Sequence, residues 1–146
     1  MNIKLLEVFN PVLFNKVHYL TSDYKTRNED WNNHNGMDMI GNNRNTDYVI
    51  AIEEGIVITS TYSSASGYYV EIRHKNNYIS RYLHMKKGTL AVEKGDVVAK
   101  GQILGYMGNS GDSNGAHLHF SVYDAKRIPQ DPLPYLQGEL NFNENY

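Results

Sequence analysis

From Val49 onward, apolar and polar side chains alternate in short runs that turn residues interrupt about every ten positions, the pattern of an antiparallel sheet or sandwich. The runs are Tyr48 to Ile52, Gly55 to Tyr62, Gly67 to His74, Tyr78 to Met85, Val97 to Ala99, Ile103 to Met107 and Ala116 to Tyr123. Helical periodicity is almost absent. In AHLHFSVY, Leu118, Phe120 and Val122 alternate with His117, His119 and Ser121, so a strand sends one set into the core and projects two imidazoles side by side from the other face. A helix would point an i, i+2 pair about 200° apart. Lys75-Asn76-Asn77 has the residues of a hairpin connection, and Glu93 to Asp96 and Lys100 to Gln102 punctuate the later runs in the same way. Gly108 to Gly115, GNSGDSNG, predicts a loop.

The first 33 residues are less regular, with Pro11 and an Asn/Asp-rich stretch from Asn28 to Asn33, and predict loops and one short strand. In the tail, Pro129, Pro132 and Pro134 predict no regular structure, and the closing NFNENY a frayed end. With no linker or repeat, residues 1–146 are expected to form a single domain.

A chain of 146 residues with 40% hydrophobic and 21% charged side chains can bury one core and has the make-up of a globular protein. Its apolar runs fall far short of the roughly 20 residues of a spanning helix, so no transmembrane segment is expected. Glu7, Asn10 and Pro11 interrupt the apolar N-terminal stretch, and no signal peptide is expected. Fourteen basic and sixteen acidic residues are interspersed, which leaves no footprint for a nucleic-acid backbone. The absence of cysteine removes disulfides, thiolate nucleophiles and iron-sulfur clusters, so any metal must bind through His, Asp or Glu.

The candidate chemistry lies in the spacing of six histidines, His18, His34, His74, His84, His117 and His119. His34 and Asp38 are four residues apart and share a face on a strand or a helix. His84 follows Tyr82-Leu83 and by alternation could face the same way as Tyr82. Each motif alone is commonplace on protein surfaces. Together they supply two histidines and a carboxylate, the minimal protein ligand set of a catalytic zinc with one position left for water. No HExxH motif is present, so a glutamate base on a zinc helix is not available.

His34-Asn35-Gly36-Met37-Asp38, Tyr82-Leu83-His84 and Gly115-Ala116-His117-Leu118-His119-Phe120 closely resemble, in order and spacing, the signature of the lysostaphin and LytM type zinc endopeptidases, peptidase family M23. The clear similarity runs from about residue 33 to 124 through VIAIEEGIV, GYYVEIRH and VEKGDVVAKGQILGYMGNSG. Thr21 to Tyr24, Asp131-Pro132 and Tyr135-Leu136 are weaker matches on either side. The resemblance implies a mainly β fold of the LytM type, similar to a duplicated hybrid motif, with loops walling an active-site groove. It implies one zinc ion held by His34, Asp38 and His119, and His84 and His117 as unligated catalytic histidines, the base and the acid not assigned between them. It also implies a peptidoglycan peptide as substrate, and a monomer is favoured. Ser121 departs from the acidic or amide residue more usual after HLHF, beside the site.

Tyr62, Tyr68, Tyr69 and Tyr82 are candidates to line the groove, Tyr82 foremost. His18 and His74 are expected to be structural or exposed, and Met37 and Met39, of opposite parity to Asp38, to fill the core. Two other readings compete. A catalytically silent LytM-like scaffold would lack ligands, whereas all the signature positions are present; a lipoyl carrier, suggested by GDVVAKGQILG, would give the histidines no task. With no leader read from the sequence, a wall substrate points to a phage or prophage lysin that reaches the wall through holin lesions or as part of a virion.

Overall fold

In the computed structural model, residues 48–111 and 118–131 are described in full, together with the backbone of Val12–Leu13, Tyr19–Ser22 and Met37–Ile40. The strands are β1 (Val12–Leu13), β2 (Tyr19–Ser22), β3 (Met37–Ile40), β4 (Tyr48–Ile50), β5 (Gly55–Ser63), β6 (Gly67–Arg73), β7 (Ile79–Met85), β8 (Val97–Val98), β9 (Ile103–Tyr106), β10 (Leu118–Tyr123) and β11 (Pro129–Gln130). They form a large sheet in the order β2-β3-β10-β7-β6-β5-β8, with β11 also on β10, and a small sheet β1-β4-β9. Each pairing is antiparallel. The mainly β antiparallel architecture is the one the alternating runs predict.

Alternation decides what each strand buries. Val57, Val70, Ile72, Tyr82, Leu118, Phe120 and Val122 of the large sheet pack with Val49 and Leu104 of the small one into a single core. Phe120 lies opposite Tyr82, and Tyr82 opposite Val70, so one buried row crosses three strands. The intervening positions, His119, Ser121 and Tyr123 on β10, Arg81 and Leu83 on β7, and Tyr69 and Glu71 on β6, belong to the other face.

The β6–β7 connection is the hairpin expected at Lys75–Asn77, a tight 3-10 turn in which Asn76 and Asn77 both take φ of 62°, a conformation that asparagine tolerates better than most residues. Two expectations need correction. The first 33 residues contribute β1 and β2, two strands rather than one. Pro129, read as a breaker, opens β11, which pairs Pro129 with Tyr123 and Gln130 with Val122. A proline is compatible with a two-residue edge strand, where its missing N–H breaks no central ladder.

A polar chain runs through the buried face. The Glu54 carbonyl can only accept, so His74 Nδ1–H donates to it at 2.7 Å, and Nε2 accepts from the Ser80 hydroxyl at 2.7 Å. Ser80 Oγ in turn accepts from Tyr82 Oη–H at 2.9 Å, and Tyr82 Oη accepts from Ile52 N–H at 3.0 Å. Every donor direction is thereby fixed. His74 is structural, as expected. Tyr82, fully buried with its hydroxyl in this chain, lines no groove, which corrects its foremost place among the tyrosine candidates.

Burial pushes the His74 pKa from 6.5 down to about 4, against the opposing effect of its hydrogen bond to Glu54. Between those values the unfolded chain binds the proton and the folded chain does not, so stability is complete above pH 6.5 and is lost as pH falls towards 4. The stake is about 3 kcal/mol, at about 1.4 kcal/mol per pKa unit. Thermal melts of the unaltered protein should lose stability more steeply between pH 6.5 and 4 than those of His74→Gln, and parallel curves would contradict this.

Candidate active site

The two strands that carry the sequence motifs are neighbours. β3 and β10 pair with Asp38 directly opposite His119, flanked by Met39 opposite Leu118 and Met37 opposite Phe120. The register therefore places Asp38 and His119 on one face of the sheet, and Met37 and Met39 at positions level with the buried Leu118 and Phe120. His34 and His117 lie outside the described residues, as does His18. Among the described residues no group of three metal-capable side chains is complete, His34 lying outside them and Asp38 being described by its backbone. The chemistry of the donors fits zinc: an imidazole at position 119 and a carboxylate at position 38 are two of the oxygen and nitrogen ligands that ion takes.

His84 reaches the same place by a different route. Regular alternation on β7 would put it on the core face with Tyr82. Instead the pairing jumps from Val70↔Tyr82 to Tyr68↔Met85, so that Tyr69 faces two residues, Leu83 and His84. At this bulge His84 takes φ of 63°, and its N–H donates to Ser66 O at 2.9 Å. A bulge of this kind re-aims a side chain. The result is a His84 ring 6.2 Å from that of His119, nearly perpendicular to it at 79°, rather than alongside Tyr82 as alternation implied. Holding a non-glycine residue in this left-handed region costs about 1–2 kcal/mol.

The loop after Met107 fixes the ring. Ser110 O accepts from His84 Nδ1–H at 2.7 Å, and since a carbonyl can only accept, the neutral ring carries its lone pair on Nε2. Ser110 is itself held at both ends of its hydroxyl, which donates to Met85 O and accepts from Tyr68 N–H at 2.9 Å. The backbones of Gly67 and Gly111 meet so closely here that a Cβ on Gly67 would strike Ser110, and one on Gly111 would strike Gly67. Both glycines have positive φ, 68° and 77°. Sequence reasoning passed over Ser110. Its only sequence signal is a hydroxyl between two residues of a glycine-rich loop. Gly111→Ala should shift Ser110 and release His84, lowering turnover at least tenfold with a modest loss of stability, as kinetics and melts of the purified variant would record.

Ser121 is fully buried two residues beyond His119, and its hydroxyl has no hydrogen-bond partner among the described residues. The Tyr62 and Tyr68 rings pack with centres 4.9 Å apart at a tilt of 53°, with Tyr62 about half exposed, and Tyr69 is partly exposed on the histidine face. Tyr69 is thus open on the histidine face, whereas Tyr68, opposite the buried Met85, packs against the core with Tyr62 beside it.

Comparison with known proteins agrees with this geometry. Peptidase family M23 matches residues 32–132, and the chain belongs to that family. The peptidoglycan DD-endopeptidase ShyC of Vibrio cholerae is 40% identical over 84 residues, which cover 53% of this chain and 19% of that protein. The catalytic domain of the antimicrobial peptidase lysostaphin from Staphylococcus simulans superposes with a TM-score of 0.68 at 28% identity, covering 82% of this chain and 90% of that one. A zinc-containing peptidase from Vibrio cholerae gives a TM-score of 0.70 at 30% identity, covering 86% and 39%. The chain spans about a fifth of the length of the first curated relatives it matches. The fold is that of the lysostaphin and LytM type catalytic domains, and the family includes metal-dependent endopeptidases of peptidoglycan.

Proposed function

We propose that this chain is a zinc-dependent endopeptidase that hydrolyses peptide bonds in bacterial peptidoglycan. One observation carries the reading: the register that sets Asp38 opposite His119, with the His84 ring 6.2 Å from that of His119. His34, Asp38 and His119 are the proposed ligands of a single ion, and His84 and His117 the proposed proton carriers. Zinc held there supplies Lewis acidity and a lowered water pKa. His84 is suited to its part because Ser110 fixes its tautomer, so that Nε2 is the ring atom able to accept and return a proton. The bulge and the docked loop hold that ring in advance of substrate, so little ordering remains to be done when a peptide binds. The partly exposed Tyr69, on the histidine face, offers an apolar face to the peptide.

The test is product chemistry. Purified peptidoglycan incubated with the protein should release new amino termini, identified by mass spectrometry, and a chelator should stop the release until zinc is restored. Release that persists unchanged in chelator, or no new termini from walls of any cross-bridge chemistry, would overturn the reading.

A further inference from the structure

One two-residue step along the sheet from His119 lies a cross-strand row, Ser121, Arg81, Glu71 and Thr59, on the same face as the histidine. Thr59 Oγ1 donates to Glu71 Oε1 at 2.6 Å, and Arg81 Nε sits 2.7 Å from Glu71 Oε2, an ion pair whose angle falls short of a hydrogen bond. Arg127 Nη1 approaches the same carboxylate oxygen at 3.7 Å. Two guanidiniums thus share one carboxylate. Asp124, the acidic residue next along β10, is engaged locally, accepting from Lys126 N, Ile128 N and Gln130 Nε2.

The Arg81 guanidinium is also held in orientation. Its carbon lies 5.5 Å from the Tyr69 ring centre and 5.6 Å from that of Tyr123, and Nη1 donates to Tyr123 Oη at a long 3.4 Å. Of five N–H donors, only these contacts to Glu71 and Tyr123 are made among the described residues. The hydroxyl of Ser121, directly opposite Arg81, is buried and takes none of them. The Arg81 side chain is 21% exposed and Arg127 59%, so the cluster is open to a ligand.

We propose that Arg81, with Arg127 beside it, forms a subsite for a carboxylate of the substrate peptide. It deepens the endopeptidase reading and rests on it. A planar, pre-oriented guanidinium is the side chain best shaped to take a carboxylate through two parallel hydrogen bonds. Two strand residues span about 7 Å, so the group recognised is a carboxylate one or two residues from the bond cut. Arg81 touches the substrate there, away from the reacting atoms, and its effect falls mainly on KM.

The test uses cross-linked muropeptide dimers in two forms, native and with their carboxylates converted to amides. The unaltered protein should cut the native form about tenfold to a hundredfold more efficiently, the range expected for a hydrogen bond to a charged group. Arg81→Gln should lose that factor on the native form, mostly in KM, and change little on the amidated one, with Arg81→Lys intermediate. Because Arg81→Gln strands the Glu71 carboxylate, the paired variant Glu71→Gln with Arg81→Gln repeats the measurement with both charges gone. Equal cleavage of both forms by the unaltered protein, or equal losses on both in the variants, would overturn the subsite alone. Cleavage of neither form would overturn the endopeptidase reading and the subsite with it.

Discussion

Replacing His119 by alanine should abolish hydrolysis of peptidoglycan, a loss of at least a thousandfold, while leaving the fold intact. His119 is on a strand whose apolar residues Leu118, Phe120 and Val122 make the core contacts, and the histidine itself is only partly buried, so its removal leaves no large cavity. Its imidazole is one of three proposed ligands, and an ion left with two loses both affinity and the geometry of an open fourth position. Asp38→Asn, at the position directly opposite, should give the same loss, because an amide is a much weaker zinc donor than a carboxylate. Turbidity assays on purified walls, with melts to confirm folding, check both variants. Retention of a tenth or more of the activity in either would exclude that side chain from the ligand set.

His84→Asn should lower turnover by about a hundredfold to ten-thousandfold, the usual worth of a positioned acid or base, and should keep its metal. Asparagine suits the test because it tolerates the left-handed backbone found at φ of 63°, and its amide can still donate towards the Ser110 carbonyl. What it cannot do is take up and release a proton near neutral pH. A variant that loses zinc along with activity would make His84 a ligand, and one that keeps full activity would remove it from the chemistry.

Much of this was legible in the sequence because a strand has a period of two. The alternation in AHLHFSVY separates a core face from a histidine face, and the observed burial of Leu118, Phe120 and Val122 follows it. The same parity puts Met37 and Met39 on the opposite side from Asp38, in keeping with the pairing of β3 with β10. What alternation misplaces is His84, since a single bulge reverses the facing of every later residue and depends on a left-handed φ that the sequence announces only weakly. Ser110 was missed because its role comes from a loop docking 26 residues away along the chain, a contact that no local pattern encodes. Tyr82 was misread for the opposite reason. Its place in a motif suggested a ligand-facing ring, whereas the strand pairing sets it level with Val70 and Phe120 in the core. Arg81 and Glu71 carry no motif and become visible only once their strands are paired.

Zinc content measured after dialysis, on the unaltered protein, Asp38→Ala, His119→Ala and His84→Asn side by side, tests the proposed centre most directly. One zinc per chain in the unaltered protein and in His84→Asn, and none in Asp38→Ala or His119→Ala, is the predicted result. Equal zinc in all four, or none in the unaltered protein after incubation with excess metal, would contradict a centre built on the pairing of β3 with β10.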